Sequence, residues 1–267
     1  MIALGVHAAG TVEAFDNFEE LIGRQVAVHR QYRRWLDPLV GRQAQDDKVK
    51  GRTPLISWRA DDVAWTSIAA GEHDDRIAGQ AAELREYAAS VVFSFHHEPE
   101  EESPDTWGTP ADYCAAWRRI VNTFRQAGAT NVRTALILRR TTYRELHGPG
   151  SARANDYWPG PRYIDFVAVD GYNKLDEWLS FADIFQPAYR FARLYDKPLI
   201  VAEFGSQEGT KGRKAAWFRD ADRWLRQRPR VKAACYFSNS EYRIDSSPSS
   251  LSTFRAMVTA SYWNGAL

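Results

Sequence analysis

The stretches Phe93-Ser94-Phe95-His96-His97-Glu98-Pro99 and Leu199-Ile200-Val201-Ala202-Glu203-Phe204-Gly205 decide the fold. Each is an apolar, strand-like run that ends abruptly in a glutamate. A carboxylate at the carboxyl end of a buried strand is where a (β/α)8 barrel keeps its chemistry. Two of them, 105 residues apart in the chain, are what glycosidic bond cleavage needs: one acid and one nucleophile or base facing a single sugar. Taken singly, each glutamate reads more readily as an ordinary strand-end residue in a salt bridge, because surface Glu is common. Their flanking residues and their strand positions reverse that preference.

Outward from these two runs, strand-like and helix-like patterns alternate along the whole chain. Strands are expected at 2–6, 25–29, 54–58, 90–95, 131–138, 164–170, 197–203 and 231–237. Between them, apolar residues recur at helical spacing, most clearly at Tyr113, Trp117, Ile120, Val121 and Phe124, and at Phe181, Ile184, Phe185, Ala188 and Ala192. The polar stretch from Gly41 to Gly51 reads as a short helix and loop, and a last helix is expected from Pro248 to about Tyr262. The long Gly- and Pro-containing segment from Thr141 to Pro161 has the length at which loops tend to be functional. Eight βα units in 267 residues fit a single-domain (β/α)8 TIM barrel occupying residues 1–267. An open doubly wound sheet is the rival, but Gly5 and Gly10 alone do not make its phosphate-binding glycine pattern.

Composition narrows the function further. The chain carries 10 tryptophans, more than a core of this size needs, so some are expected to line a cleft where flat rings meet the C–H faces of sugars. A formal net charge of +1 gives no global field for nucleic acid or an anionic membrane. No stretch approaches the ~20 apolar residues of a membrane span. The first residues are too short and too uncharged for a secretion signal. That leaves an extracellular protein with its leader removed, or a cytoplasmic one. Cys114 and Cys235 fall on an outer helix and on strand eight, too far apart to bridge, and are expected as free thiols. No H-E-x-x-H or paired cysteine spacing supports a metal site, and no G-x-S-x-G supports a serine hydrolase. The acidic run from Glu98 to Asp105 reads as a solvated loop rather than a calcium site. No cofactor and no metal are expected, and the protein is expected to act as a monomer on a polysaccharide or oligosaccharide.

On these residues the chain resembles the clan A glycoside hydrolases, and within them family 26, which includes the β-mannanases. His97-Glu98 matches the family's replacement of the clan's usual Asn before the acid/base glutamate. Asp170-Gly171-Tyr172-Asn173 after strand six and Lys197-Pro198 with Ala202-Glu203-Phe204-Gly205 on strand seven match as well. Leu4-Gly5-Val6 and the segment from Trp65 to Asp74 are weaker matches. The resemblance implies Glu98 as acid/base, Glu203 as nucleophile, retention of configuration, and endo action on β-1,4-mannan. Two departures stand out. The segment after Glu98 is acidic, Glu100-Glu101-Glu102-Ser103-Pro104-Asp105, where the family is aromatic-rich, and strand five ends Leu138-Arg139-Arg140 where the family commonly has Trp. Mixed-linkage β-glucan, β-1,3-xylan or an acidic polysaccharide are the alternative substrates. A carbohydrate-binding barrel without turnover is the alternative of a different class.

Further candidates are weighed against plainer readings. His97 is expected to orient Glu203 or a sugar hydroxyl, with a packed strand-end histidine as the alternative. Tyr172 is expected to donate its phenol to Glu203, or else to be structural. Trp58 and Trp107 are read as sugar platforms or core, Trp158 as a weaker platform, and Trp117, Trp217 and Trp224 as core. His29, Arg139 and Tyr236 complete the substrate-binding or orienting set. Of Arg139 and Arg140 only one can point into a cleft, and the acidic loop is expected to neutralise it.

Overall fold

Runs of branched and aromatic residues four to eight long, bounded by Gly, Pro and Asp, form parallel strands once both faces are covered. The computed structural model describes residues 1–8, 11–144 and 153–267. Eight strands close into a barrel in chain order: β1 Ala3–Ala8, β2 Val28–Arg33, β3 Thr53–Trp58, β4 Val91–Phe95, β5 Val132–Arg139, β6 Phe166–Asn173, β7 Leu199–Ser206 and β8 Val231–Ser238. The helices between them are α1 Val12–Ile22, α2 Arg42–Lys50, α3 Trp65–Ala70, α4 Asp74–Tyr87, α5 Pro104–Trp107, α6 Pro110–Gln126, α7 Phe181–Leu194, α8 Arg213–Arg226 and α9 Pro248–Val258. Of the long segment from 141 to 161, residues 145–152 lie outside the described residues, as do residues 9–10 beyond β1.

Two compact units share the chain, residues 1–30 with 168–267, and residues 31–167; their boundaries fall inside β2 and β6. In the first unit β1 pairs with β8 over six residues, from Ala3 opposite Ala233 to Ala8 opposite Ser238. The Gly5 backbone faces Cys235 there, and a Cβ at Gly5 would collide with the Cys235 sulfur and lie 3.0 Å from the Val28 Cβ. β7 pairs with β8 out of step: Val201 faces Ala234 while Phe204 faces Tyr236, so β7 holds one extra residue around Ala202 and Glu203. Such a bulge re-aims a side chain at a strand's end.

In the second unit β3 pairs with β4 from Leu55–Val92 to Trp58–Phe95, and β4 with β5 from Val91–Val132 to Phe93–Thr134. Trp65 on α3, and Tyr113 and Trp117 on α6, are buried. α6 begins with a reciprocal cap between Thr109 and Asp112, and α7 in the first unit begins with the same device between Ser180 and Asp183. Trp217 and Trp224 on α8 are also core. Cys114 and Cys235 are free and buried. Among the described residues no helix is long and apolar enough to cross a membrane.

Candidate active site

Glu203 is only 5% exposed at the bulge on β7. A buried carboxylate needs partners, and two other strands, β2 and β6, supply them. Arg30 on β2 is fully buried and donates from Nη2 to Glu203 Oε1 at 3.1 Å. The Tyr172 phenol on β6 donates to Glu203 Oε2. The two carboxylate oxygens are thus held from two sides, one by a charge-assisted bond. Arg30 is fixed in turn: its carbonyl accepts from His7 Nδ1 on β1 at 3.1 Å, and the His7 ring stacks on Phe237 at 4.9 Å. Burial holds the His7 pKa below its ordinary value. Tyr172 lies flat on Tyr242 with ring centres 4.8 Å apart. Burial pushes the Cys235 thiol up to about 12, which leaves it inert.

In the second unit the chain turns sharply after β4. His96 has φ +42° and Glu98 φ +52°, the left-handed region that residues with a Cβ avoid, and Glu98 is followed by Pro99. Strain of this kind persists where the surroundings over-determine it, and it clusters at functional positions. The surroundings here are specific. His96 N–H donates to the Trp58 carbonyl at 2.9 Å and Glu98 N–H to the Ile137 carbonyl at 3.0 Å, so the turn is bonded to both neighbouring strands. The fully buried His96 ring accepts at Nδ1 from Trp65 Nε1 at 3.1 Å. An indole can only donate, so His96 carries its proton on Nε2 and gives it to Glu102 Oε1, 3.1 Å away. Burial lowers the His96 pKa to about 4, against the pull of Glu102, so the ring is neutral at pH 7.

Glu102 also binds Arg59 at 2.6 Å, and Arg59 lies over the Trp107 ring at 5.8 Å. Glu100 accepts from the Arg139 N–H at 2.6 Å and the Thr142 hydroxyl at 2.7 Å, and burial raises its pKa to about 6. The Arg139 guanidinium pairs with Glu101. The acidic run is therefore wired at Glu100 and Glu102, while Glu101 and Ser103 to Asp105 stay exposed to solvent. Beside it, the segments 34–37 and 59–63 and the edge of Trp107, itself 9% exposed, line a cleft of about 600 Å3.

Several expected substrate contacts need correction. Trp58 is fully buried, stacked on Trp35 at 4.2 Å with its indole N–H on the Arg34 and Trp35 carbonyls, so it is a core residue beneath the cleft. Tyr236 is fully buried and donates to the Tyr242 carbonyl, which makes it a loop support. His29 is buried with its ring 3.9 Å from that of Phe15, out of reach as a sugar contact. His97 and Glu98 are half-buried, and the His97 ring lies 5.2 Å from Tyr32. Trp158 is half-buried too. The sequence reading passed over Arg30 and Tyr242, and gave His96 no role beyond the metal reading it set aside. Arg30 and His96 sit inside or against strand runs, where a polar residue with no visible partner looks like a strand end. Among the described residues no group of His, Cys, Asp and Glu is arranged to hold a metal ion.

The chain is similar to known proteins at three levels. Endoglucanase H of Acetivibrio thermocellus is 29% identical over 270 residues, covering 92% of this chain, while the chain spans only 29% of that protein's length. A family GH26 β-mannanase from Bacteroides ovatus superposes with a TM-score of 0.69 at 16% identity, over 97% of this chain and 88% of the other. A modular endo-β-1,4-mannanase from Cellulomonas fimi gives 0.68 at 15%, over 98% and 71%. At these identities the two structures speak for the fold. The sequence model describing the glycosyl hydrolase catalytic core matches residues 68–262, a span that takes in both Glu98 and Glu203. The chain therefore belongs to the glycosyl hydrolase catalytic-core family.

Proposed function

We propose that the protein is a retaining endo-β-glycosidase, one catalytic domain over residues 1–267, with Glu203 as nucleophile and Glu98 as general acid and then general base. The observation that carries this reading is the setting of Glu203: a buried carboxylate on a bulged strand end, with Arg30 on one oxygen and Tyr172 on the other. In the first step the Glu203 carboxylate attacks the anomeric carbon while Glu98 passes its proton to the glycosidic oxygen. The C–O bond breaks, the leaving chain departs as an alcohol, and the sugar is esterified to Glu203. In the second step Glu98, now ionised, takes a proton from water as that water's oxygen attacks the same carbon and frees Glu203. His97 is proposed to orient the sugar or the nucleophile, and Trp107 to present its edge to the chain.

Occupation of Arg139 by Glu101 favours a neutral polysaccharide over a uronate polymer. β-1,4-Mannan is the first candidate, supported by the His97-Glu98 pattern and the family 26 resemblance. A β-glucan is the second, favoured by the likeness to Endoglucanase H over nearly the whole chain. A reducing-sugar assay on mannan, mixed-linkage β-glucan and an acidic polymer decides between them. Glu203→Ala should lose several orders of magnitude in turnover with the fold intact by circular dichroism. Glu98→Ala should fall by about 10²–10⁴-fold on polymer but little on an aryl glycoside whose leaving group needs no proton. Equal loss on both substrates would remove Glu98 as the acid. A carbohydrate-binding barrel, by contrast, would show no burst of aryl release from any active glycoside.

A further inference from the structure

The segment after β8 is held more firmly than a surface connection needs. Asn239 Oδ1 accepts from the N–H groups of Glu241 and Tyr242 at 3.0 and 3.1 Å, and Tyr236 binds the Tyr242 carbonyl. Next along, the Arg243 carbonyl accepts from Nζ of Lys214, a fully buried lysine in the first turn of α8. Lys214 also donates to the Ser246 hydroxyl at 3.1 Å. Ser246, Ser247 and Ser250 all donate to Glu208, at 2.5, 2.9 and 2.9 Å, which ties the same segment to the one after β7.

What this clamp carries is Tyr242. Its ring is the face on which Tyr172 stacks, at an interplanar angle of 16°. Gly205, two residues after Glu203, leaves room for that stack: a Cβ there would lie 2.9 Å from Tyr242 and 3.3 Å from Tyr172. The path from lysine to nucleophile is short and continuous: Lys214 to the Arg243 carbonyl, the adjacent Tyr242, its ring on Tyr172, and the Tyr172 phenol on Glu203.

We propose that Lys214 is a positioning residue for Glu203, holding the Tyr172 phenol on the carboxylate through the 239–247 segment and the Tyr242 ring. The role rests on the reading of Glu203 as nucleophile. The groups facing the ammonium are Glu208 from the segment after β7, Asp245 and the Arg243 carbonyl from the segment after β8, and the Phe218 ring 5.8 Å away on its own helix. The Arg243 guanidinium is turned to Asp245 at 2.7 Å. Burial outweighs the two carboxylates and lowers the lysine to about 8. Above that pH the lysine loses its charge and one donor proton, and the clamp loosens.

The test is the pH dependence of kcat/KM on an aryl β-glycoside with an activated leaving group, which removes the demand for a protonated Glu98. Wild type should fall on the alkaline side with a midpoint near 8. Lys214→Met should sit about tenfold lower and show no such limb; Lys214→Arg, charged throughout, should also lose the limb but keep more of the rate. The near-ultraviolet circular dichroism of the stacked tyrosines should step at the same pH in wild type and not in Lys214→Met. Tyr242→Phe keeps the ring and should retain the limb that Tyr242→Leu loses, a second reading should Lys214→Met not fold. A wild-type rate and limb in Lys214→Met would overturn the proposal. Should Glu203→Ala stay active, the nucleophile assignment fails instead, so the two failures are distinguishable.

Discussion

His96 and Glu100 lie two residues to either side of Glu98, and their proton equilibria oppose one another. His96 titrates near 4 when folded and near 6.5 when unfolded, so between those values the unfolded chain binds more protons and stability rises with pH. Glu100 titrates near 6 when folded against 4.5 unfolded, so from 4.5 to 6 the folded chain binds more, and stability falls with rising pH. In wild type the two slopes partly cancel. Glu100→Gln keeps the acceptor for Arg139 and Thr142 but removes the falling slope. Its stability relative to wild type should therefore grow by about 1 kcal/mol from pH 4.5 to 6, read from melts at both values. At this scale the sequence draws attention to Glu98, because a glutamate ending an apolar run is conspicuous, and its role is the one proposed above. His96 was hidden: its meaning lies in Trp65 and Glu102, and nothing in the local string announces such partners.

The strands teach a similar lesson about elements. The apolar pattern places strand two at 25–29, strand six at 164–170 and the end of strand seven at Glu203, whereas β2, β6 and β7 each run on by three or four residues, to Arg33, Asn173 and Ser206. Among the extra residues several are polar yet buried because they are paired: Arg30 with Glu203, Gln31 with Asp47, Asn173 with Ser206. Hydropathy reads such residues as strand ends, so it errs where a functional site departs from the pattern. Where strands are mostly apolar and carry no site residue, as in β3 and β8, the reading and the structure differ by a residue at most. The tightest strand contact offers its own check. Gly5→Ala on β1 drives a methyl into the Cys235 sulfur and should destabilise by about 1–3 kcal/mol. Cys235→Ala removes the sulfur, so the double variant should be more stable than the sum of the singles predicts in denaturant melts.

Taken whole, the molecule was largely legible through the order of its pieces, since eight alternating units leave few arrangements other than a closed barrel. The aromatic surplus was misread in part, because composition does not say which rings stack on each other, as Trp35 and Trp58 do. The Arg30–Glu203 pair has a consequence for how such a barrel ages in evolution. A buried ion pair is costly to break: Arg30→Met or Glu203→Leu alone should each destabilise by about 3–5 kcal/mol, because a lone charge stays in the interior. Replacing both with apolar residues should be neutral or raise the melting temperature, in a protein that no longer turns over. Differential scanning calorimetry of the two singles and the double tests this, and a double variant less stable than either single would refute it. A lineage released from hydrolysis would then drift by exchanging both residues together. On the reading of Glu203 as nucleophile, a sister barrel lacking arginine and glutamate at these two places at once would be a retired enzyme.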